Sequence, residues 1–224
     1  MSYEGRVARL GNEPWALIVE RRLVLTVLTG AVAGFLASLM RSAGPEWLSG
    51  VAGGIAVWVT IGFLLARTRR DLRGAVLVAG LYQATWLLVF YVSQRALIDG
   101  ASARIARDAL PWLVVLVPGA CLVGLLANRS LRRGVVGDAC LALPLAWSTQ
   151  EAVRELGRGP GFVAGAAVTV LVGALPLLIA IRGRRVHPAT VVAVLVVAAV
   201  LIGLAAHAVQ HAPITTAGPI LVAA

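Results

Sequence analysis

Two acids and one histidine stand out in this chain as residues that could move protons. Glu151 closes the polar run Trp147-Ser148-Thr149-Gln150-Glu151, and Glu155 follows one helical turn later among Arg154 and Arg158. A carboxylic acid near membrane depth is costly and tends to serve function. Glu151 therefore reads either as an acid facing an outer cavity or as part of a solvated Glu–Arg cluster. His207 ends another apolar run with Gln210 and His211 and is the second candidate. Asp138 reads differently. It follows Arg132 and Arg133 at the start of an apolar stretch, where a helix N-terminus and nearby arginines favour a carboxylate structurally.

A second group of residues suggests a pocket. Trp58, Tyr82, Gln83 and Trp86 fall in the middle of apolar runs. Tyr82, Trp86 and Phe90 recur at i, i+4 and i+8, so they share one helix face. Tyr91, Gln94, Trp147 and Gln150 fall nearer one end, at the level of Glu151 and His207. These eight residues, Phe90 aside, are the candidate binding set, with Glu151 and His207 as candidate catalytic groups at the rim. An acid in an aromatic pocket could protonate an alkene or epoxide, and the rings could stabilise a carbocation. The plainer reading is an interfacial belt of Trp and Tyr, including Trp47 and Trp112.

Other chemistries find no footing. Cys121 and Cys140 lack CxxC spacing, and His187, His207 and His211 form no HExxH pattern, so no metal site and no cofactor is expected. All 20 basic residues are Arg. Without Lys there is neither a P-loop nor a retinal Schiff base, and Gly157–Gly161 (GRGPG) is a turn.

The elements that must position these residues are membrane helices. Of 224 residues, 59% are hydrophobic and 13% charged, and mean hydropathy is +0.89. Soluble domains carry about 25% charged residues. The pattern predicts an all-α polytopic transmembrane bundle of seven spans: Leu23–Met40, Trp47–Ala66, Gly74–Gln94, Leu110–Ala127, Val135–Arg154, Phe162–Ile181 and Ala189–Val209. Nothing alternates like a barrel strand. Residues 1–22 form a cytoplasmic or interfacial segment, 23–209 the bundle and 210–224 an extracytoplasmic tail. The first span is too long for a signal-peptide core and reads as a retained helix. Glu13–Arg22 either lies at the interface or extends that span. Ala96–Leu110 is the longest outer loop, with an interfacial helical face.

The net charge of +10 has a location. Fourteen arginines, among them Arg69, Arg70, Arg132, Arg133, Arg184 and Arg185, fall in the N-terminal segment and alternate loops, and six fall on the other side. This split places the N-terminus in the cytoplasm and the C-terminus outside, in the plasma membrane of a bacterium. It makes the positive charge a topology signal, and no nucleic-acid partner is expected. Gly30-xxx-Gly34, Gly50-xxx-Gly54 and Gly161-xxx-Gly165 offer small-residue faces for close helix packing, inside the bundle or in a homo-oligomer. Pro118, Pro144 and Pro176 lie within spans and predict kinks.

The run Trp47–Val92 (WLSGVAGGIAVWVTIGFLLARTRRDLRGAVLVAGLYQATWLLVFYV), then Leu113–Gly134 (LVVLVPGACLVGLLANRSLRRG) and the acid in TQEAVRE, resembles the domain of unknown function 6518 family of small actinobacterial membrane proteins. The likeness covers roughly the first six spans. It rests on the order of an outer Trp, an Ala-Val-Trp segment, an Arg-rich inner loop, a Pro-Gly in span four and an acid in span five. It implies the same multi-pass topology and no particular activity.

Two functions compete on this reading. One is a bundle that binds or passes a small lipophilic molecule, or serves as a membrane partner subunit. The other is an intramembrane enzyme on a lipid or isoprenoid, similar in principle to terpenoid cyclases, with Glu151 as the acid. A transport subunit driven by a nucleotide-binding partner fits less well, because inner loops of about seven residues leave little room for a coupling helix.

Overall fold

The computed structural model describes residues 14–97 and 102–183, and among these every regular element is a helix. Seven α-helices follow in order: α1 (Pro14–Ala43), α2 (Glu46–Gly53), α3 (Ile55–Ala66), α4 (Leu72–Leu97), α5 (Ser102–Arg129), α6 (Val135–Leu156) and α7 (Val163–Gly183). A short 3-10 turn, Pro160–Phe162, leads into α7. The expected seventh span, with His207, Arg184 and Arg185, lies outside the described residues, as does the C-terminal tail.

Three helices are long and apolar enough to cross a membrane: α1 from Arg21, α4, and α7 with its preceding turn. The pair α2 and α3 makes a fourth span if its two halves, bent by 51°, are taken together. In α5 the apolar stretch is shorter, Val114–Arg129, and α6 carries Asp138, Glu151, Arg154 and Glu155. The 30 residues of α1 extend the first span back to Pro14, as one of the two readings of Glu13–Arg22 anticipates. Likewise α5 begins at Ser102, so the second half of the expected outer loop is helical and continuous with its span.

The broken helix is the organising element. α2 packs against α1 and α7, and α3 against α4, α5, α6 and α7, while α1 lies along α4 and α6 along α7. Small and polar residues are prominent in the interior, where Ala37, Ala66, Ala75, Ala79, Ser38, Thr60, Ser148 and Thr169 are buried beside the larger Phe63, Tyr82 and Leu141. Large apolar side chains point outward, Val32, Leu88, Val114 and Leu171 among them. That inversion suits lipid, where apolar residues gain nothing by leaving the surface and small ones let helices approach.

The glycine faces are used inside the chain. A Cβ on Gly34 would collide with the Trp86 carbonyl, and one on Gly30 would lie 2.8 Å from the Tyr82 carbonyl oxygen, so α1 seats directly on α4. A Cβ on Gly165 would lie 2.7 Å from the Trp47 carbonyl oxygen. Gln94 adds a polar tie, its amide nitrogen lying 3.0 Å from the Ser38 carbonyl, 3.1 Å from the Ser38 hydroxyl and 3.0 Å from that of Ser42. Pro118, Pro144 and Pro176 stay within continuous helices. The sharp bend falls at Gly54 instead, where no proline stands.

Candidate functional site

Gly53 and Gly54 sit together in the middle of the second apolar run, where residues without Cβ leave a helix poorly supported. The chain breaks there, and inside a bilayer the freed backbone groups need partners. Glu151 supplies them from α6. Ile55 N–H donates to its Oε1 at 2.9 Å and Ala56 N–H to its Oε2 at 2.7 Å. The carboxylate thus caps the N-terminus of α3, where the helix dipole favours negative charge. Gly54 is needed for the approach, since a Cβ there would lie 2.9 Å from the Glu151 carboxyl carbon. On the other side of the break, the Trp58 indole N–H donates to the Ala52 carbonyl at 3.2 Å.

Trp58 is also a wall of a cavity of about 220 Å³ between α3, α4, α5 and α6. Seven aromatic residues line it: Trp58, Tyr82, Trp86, Phe90, Tyr91, Trp112 and Trp147. Trp58 stacks on Trp86 at 5.7 Å between centroids, Trp86 on Phe90 at 5.8 Å, and Tyr91 meets Phe90 edge-on at 5.2 Å. The Arg41 guanidinium lies 5.9 Å over the Phe90 ring, a cation–π distance. Three polar groups of α4 in this wall are buried and have no hydrogen-bond partner among the described residues: the Tyr82 hydroxyl, the Gln83 amide nitrogen and the Trp86 indole N–H. Buried donors are nearly always satisfied, so an occupant with acceptor atoms would complete this wall.

A second, polar cavity of about 410 Å³ lies beside the break. Arg41, Ser49, Gly50, Gly53, Gly54, Glu151, Arg154, Glu155 and Arg158 line it. Arg41 and Gly53 line both cavities, so the two adjoin. Glu155 is 3% exposed, and neither of its oxygens has a hydrogen-bond partner among the described residues. Arg158 lies 5.7 Å over the Phe162 ring.

Of the candidate binding residues, the structure gathers Trp58, Tyr82, Gln83, Trp86, Tyr91 and Trp147 around the aromatic cavity. It places Gln94 in the α1–α4 contact and Gln150 on the exposed side of α6. Glu151 lines the polar cavity and not the aromatic one, and His207 lies outside the described residues. Asp138 is buried in the first turn of α6. Arg70, Arg132 and Arg133 are exposed and Arg69 is half-buried. Asp71, not singled out by the sequence reading, caps α4 by accepting the Gly74 N–H at 2.6 Å. Phe90 and Arg41 line the aromatic cavity as well. Phe90 stood on the Tyr82–Trp86 face and was legible there, whereas Arg41 comes from a distant helix. Among the described residues no group of three or more His, Cys, Asp or Glu is placed to hold a metal ion.

No family model, no curated protein and no solved structure matches this chain.

Proposed function

We propose that this chain is a seven-span bundle of a bacterial plasma membrane, with a cytoplasmic N-terminus, that binds a small lipophilic molecule in the aromatic cavity. Membership of the domain of unknown function 6518 family belongs to the same proposal. The observation that carries the binding reading is the cavity itself: seven aromatic side chains around about 220 Å³, with three buried polar groups of one helix left without partners. An apolar cavity of about 150 Å³ takes up benzene, so this one has room for a substituted ring. Trp112 and Trp147, two of the lining residues, are 40% and 43% exposed.

The binding reading is favoured over acid catalysis by the position of Glu151. Both its oxygens accept backbone N–H groups of α3, and it stands outside the aromatic wall. A group so engaged holds a helix end and does not line the aromatic cavity.

The test is direct. Protein purified from native membranes is analysed by mass spectrometry for co-purifying lipophiles, and the purified chain is titrated with ethylbenzene by calorimetry. A ring-bearing compound should accompany the wild type and be depleted in W86A. Ethylbenzene should bind the wild type and bind W86A at least about tenfold more weakly, as expected for loss of a stacked wall. Equal ethylbenzene uptake by both proteins, or none by either, would overturn the assignment.

A further inference from the structure

The polar cavity holds an unresolved charge pattern. Glu155 projects from α6 between α2 and α7. A Cβ added to Gly50 would lie 3.4 Å from its Oε1, and one added to Gly165 would lie 3.2 Å from its Oε2. A carboxylate this buried without a donor is strongly unfavourable unless something pairs with it. Glu151, four residues earlier, is already engaged at the α3 N-terminus. On the open side of the same cavity stand the three exposed arginines Arg41, Arg154 and Arg158. One buried carboxyl group and three solvated guanidinium groups are therefore offered to whatever enters.

A purely cationic ligand would suit Glu155 and be opposed by the arginines. A purely anionic one would suit the arginines and leave Glu155 without a partner. A zwitterion satisfies both. The adjoining aromatic cavity then gives the ligand its third part, because Gly53 lies between the two spaces and a Cβ there would meet nothing within 4 Å. We propose that one ligand spans both cavities: a zwitterionic aromatic amino acid, its ammonium on Glu155, its carboxylate toward Arg41, Arg154 and Arg158, and its ring among Trp58 and Trp86. The inference rests on the aromatic cavity being a binding site and names the class of molecule it takes. A broken helix at the side of the site is in keeping with solute-binding membrane proteins, where discontinuous helices expose polar backbone at the ligand.

The experiment compares four probes by calorimetry on the full chain in detergent: L-phenylalanine, 3-phenylpropanoate, which lacks the ammonium, phenethylamine, which lacks the carboxylate, and ethylbenzene, which lacks both. L-Phenylalanine should bind at least about tenfold more tightly than each of the others, because a site built for a polar group rejects the analogue without it. E155Q should weaken phenylalanine and phenethylamine by at least about tenfold and leave 3-phenylpropanoate and ethylbenzene unchanged. Dihexanoyl phosphatidylethanolamine carries the same ammonium–anion pair on acyl chains. If it binds more tightly than phenylalanine, the site belongs to a lipid headgroup and the proposal falls. It falls equally if phenylalanine binds no better than ethylbenzene in the wild type, a comparison that needs no variant to fold. In that case ethylbenzene binding still leaves the aromatic cavity as a binding site. Absence of binding by all probes, ethylbenzene included, overturns both readings.

Discussion

Glu151 shows how much one side chain can determine in a membrane bundle. Its two oxygens satisfy two amide protons at a helix start that has no side-chain cap of its own. Removing an acceptor strands buried donors, and hydrogen bonds to charged groups contribute about 1.5–3 kcal/mol each. E151A should therefore lower stability by roughly 2–4 kcal/mol. E151Q keeps one oxygen and should lose about half of that. Reversible unfolding in mixed detergent micelles measures both. Equal stability of wild type and E151A would show that the cap contributes nothing. In the sequence, Glu151 was legible as a conspicuous acid, but its partners were not. They are backbone amides 95 and 96 residues away, and backbone groups leave no mark in residue types. Glu155 was visible only as the acid one turn further, since its burial depends on Gly50 and Gly165 approaching from two other helices.

At the scale of elements, the packing of α1 on α4 and the break between α2 and α3 both turn on glycine, for different reasons. Gly53 and Gly54 are neighbours, yet their surroundings differ. At Gly53 an added methyl group meets open space, whereas at Gly54 it would press on the Glu151 carboxylate at 2.9–3.0 Å. G53A should thus be neutral or slightly stabilising, as alanine suits the end of α2 better. G54A should be destabilised by about 1–3 kcal/mol through overpacking and loss of the cap. Thermal unfolding of the two variants in one detergent separates them, and similar values would contradict this account of the break. G34A acts on another contact. Its methyl group must push α1 away from the Trp86 carbonyl, so Trp86 should move and ethylbenzene binding should weaken along with stability. The GxxxG spacing made Gly30 and Gly34 readable as a packing face from sequence. The same spacing misdescribed Gly50 and Gly54, because it cannot distinguish a helix that packs closely from one that stops. Pro118, Pro144 and Pro176 lie inside α5, α6 and α7 without ending them, whereas the chain breaks at the Gly-Gly pair.

For the whole molecule, the arrangement of loops bears on orientation. The Asn128 amide at the end of α5 donates to the Arg70 carbonyl at 2.8 Å, which draws together the arginine-rich loops after α3 and α5. Arg41, Arg154 and Arg158 meet around the polar cavity near the other ends of these helices. Packing thus joins the Arg70 loop to the loop after α5 and gathers Arg41, Arg154 and Arg158 elsewhere, as the proposed sides of the membrane require. The proposed orientation has the larger set of arginines facing the cytoplasm. The check uses R133C and R158C, made singly in a background with Cys121 and Cys140 changed to serine, because both arginines are exposed. A membrane-impermeant maleimide added to intact cells should label the R158C protein and spare the R133C protein, and permeabilised cells should give labelling of both. Labelling of the R133C protein alone in intact cells would invert the topology. It would also place the polar cavity on the cytoplasmic side, so that any ligand meeting Glu155 and the three arginines would have to arrive from inside the cell.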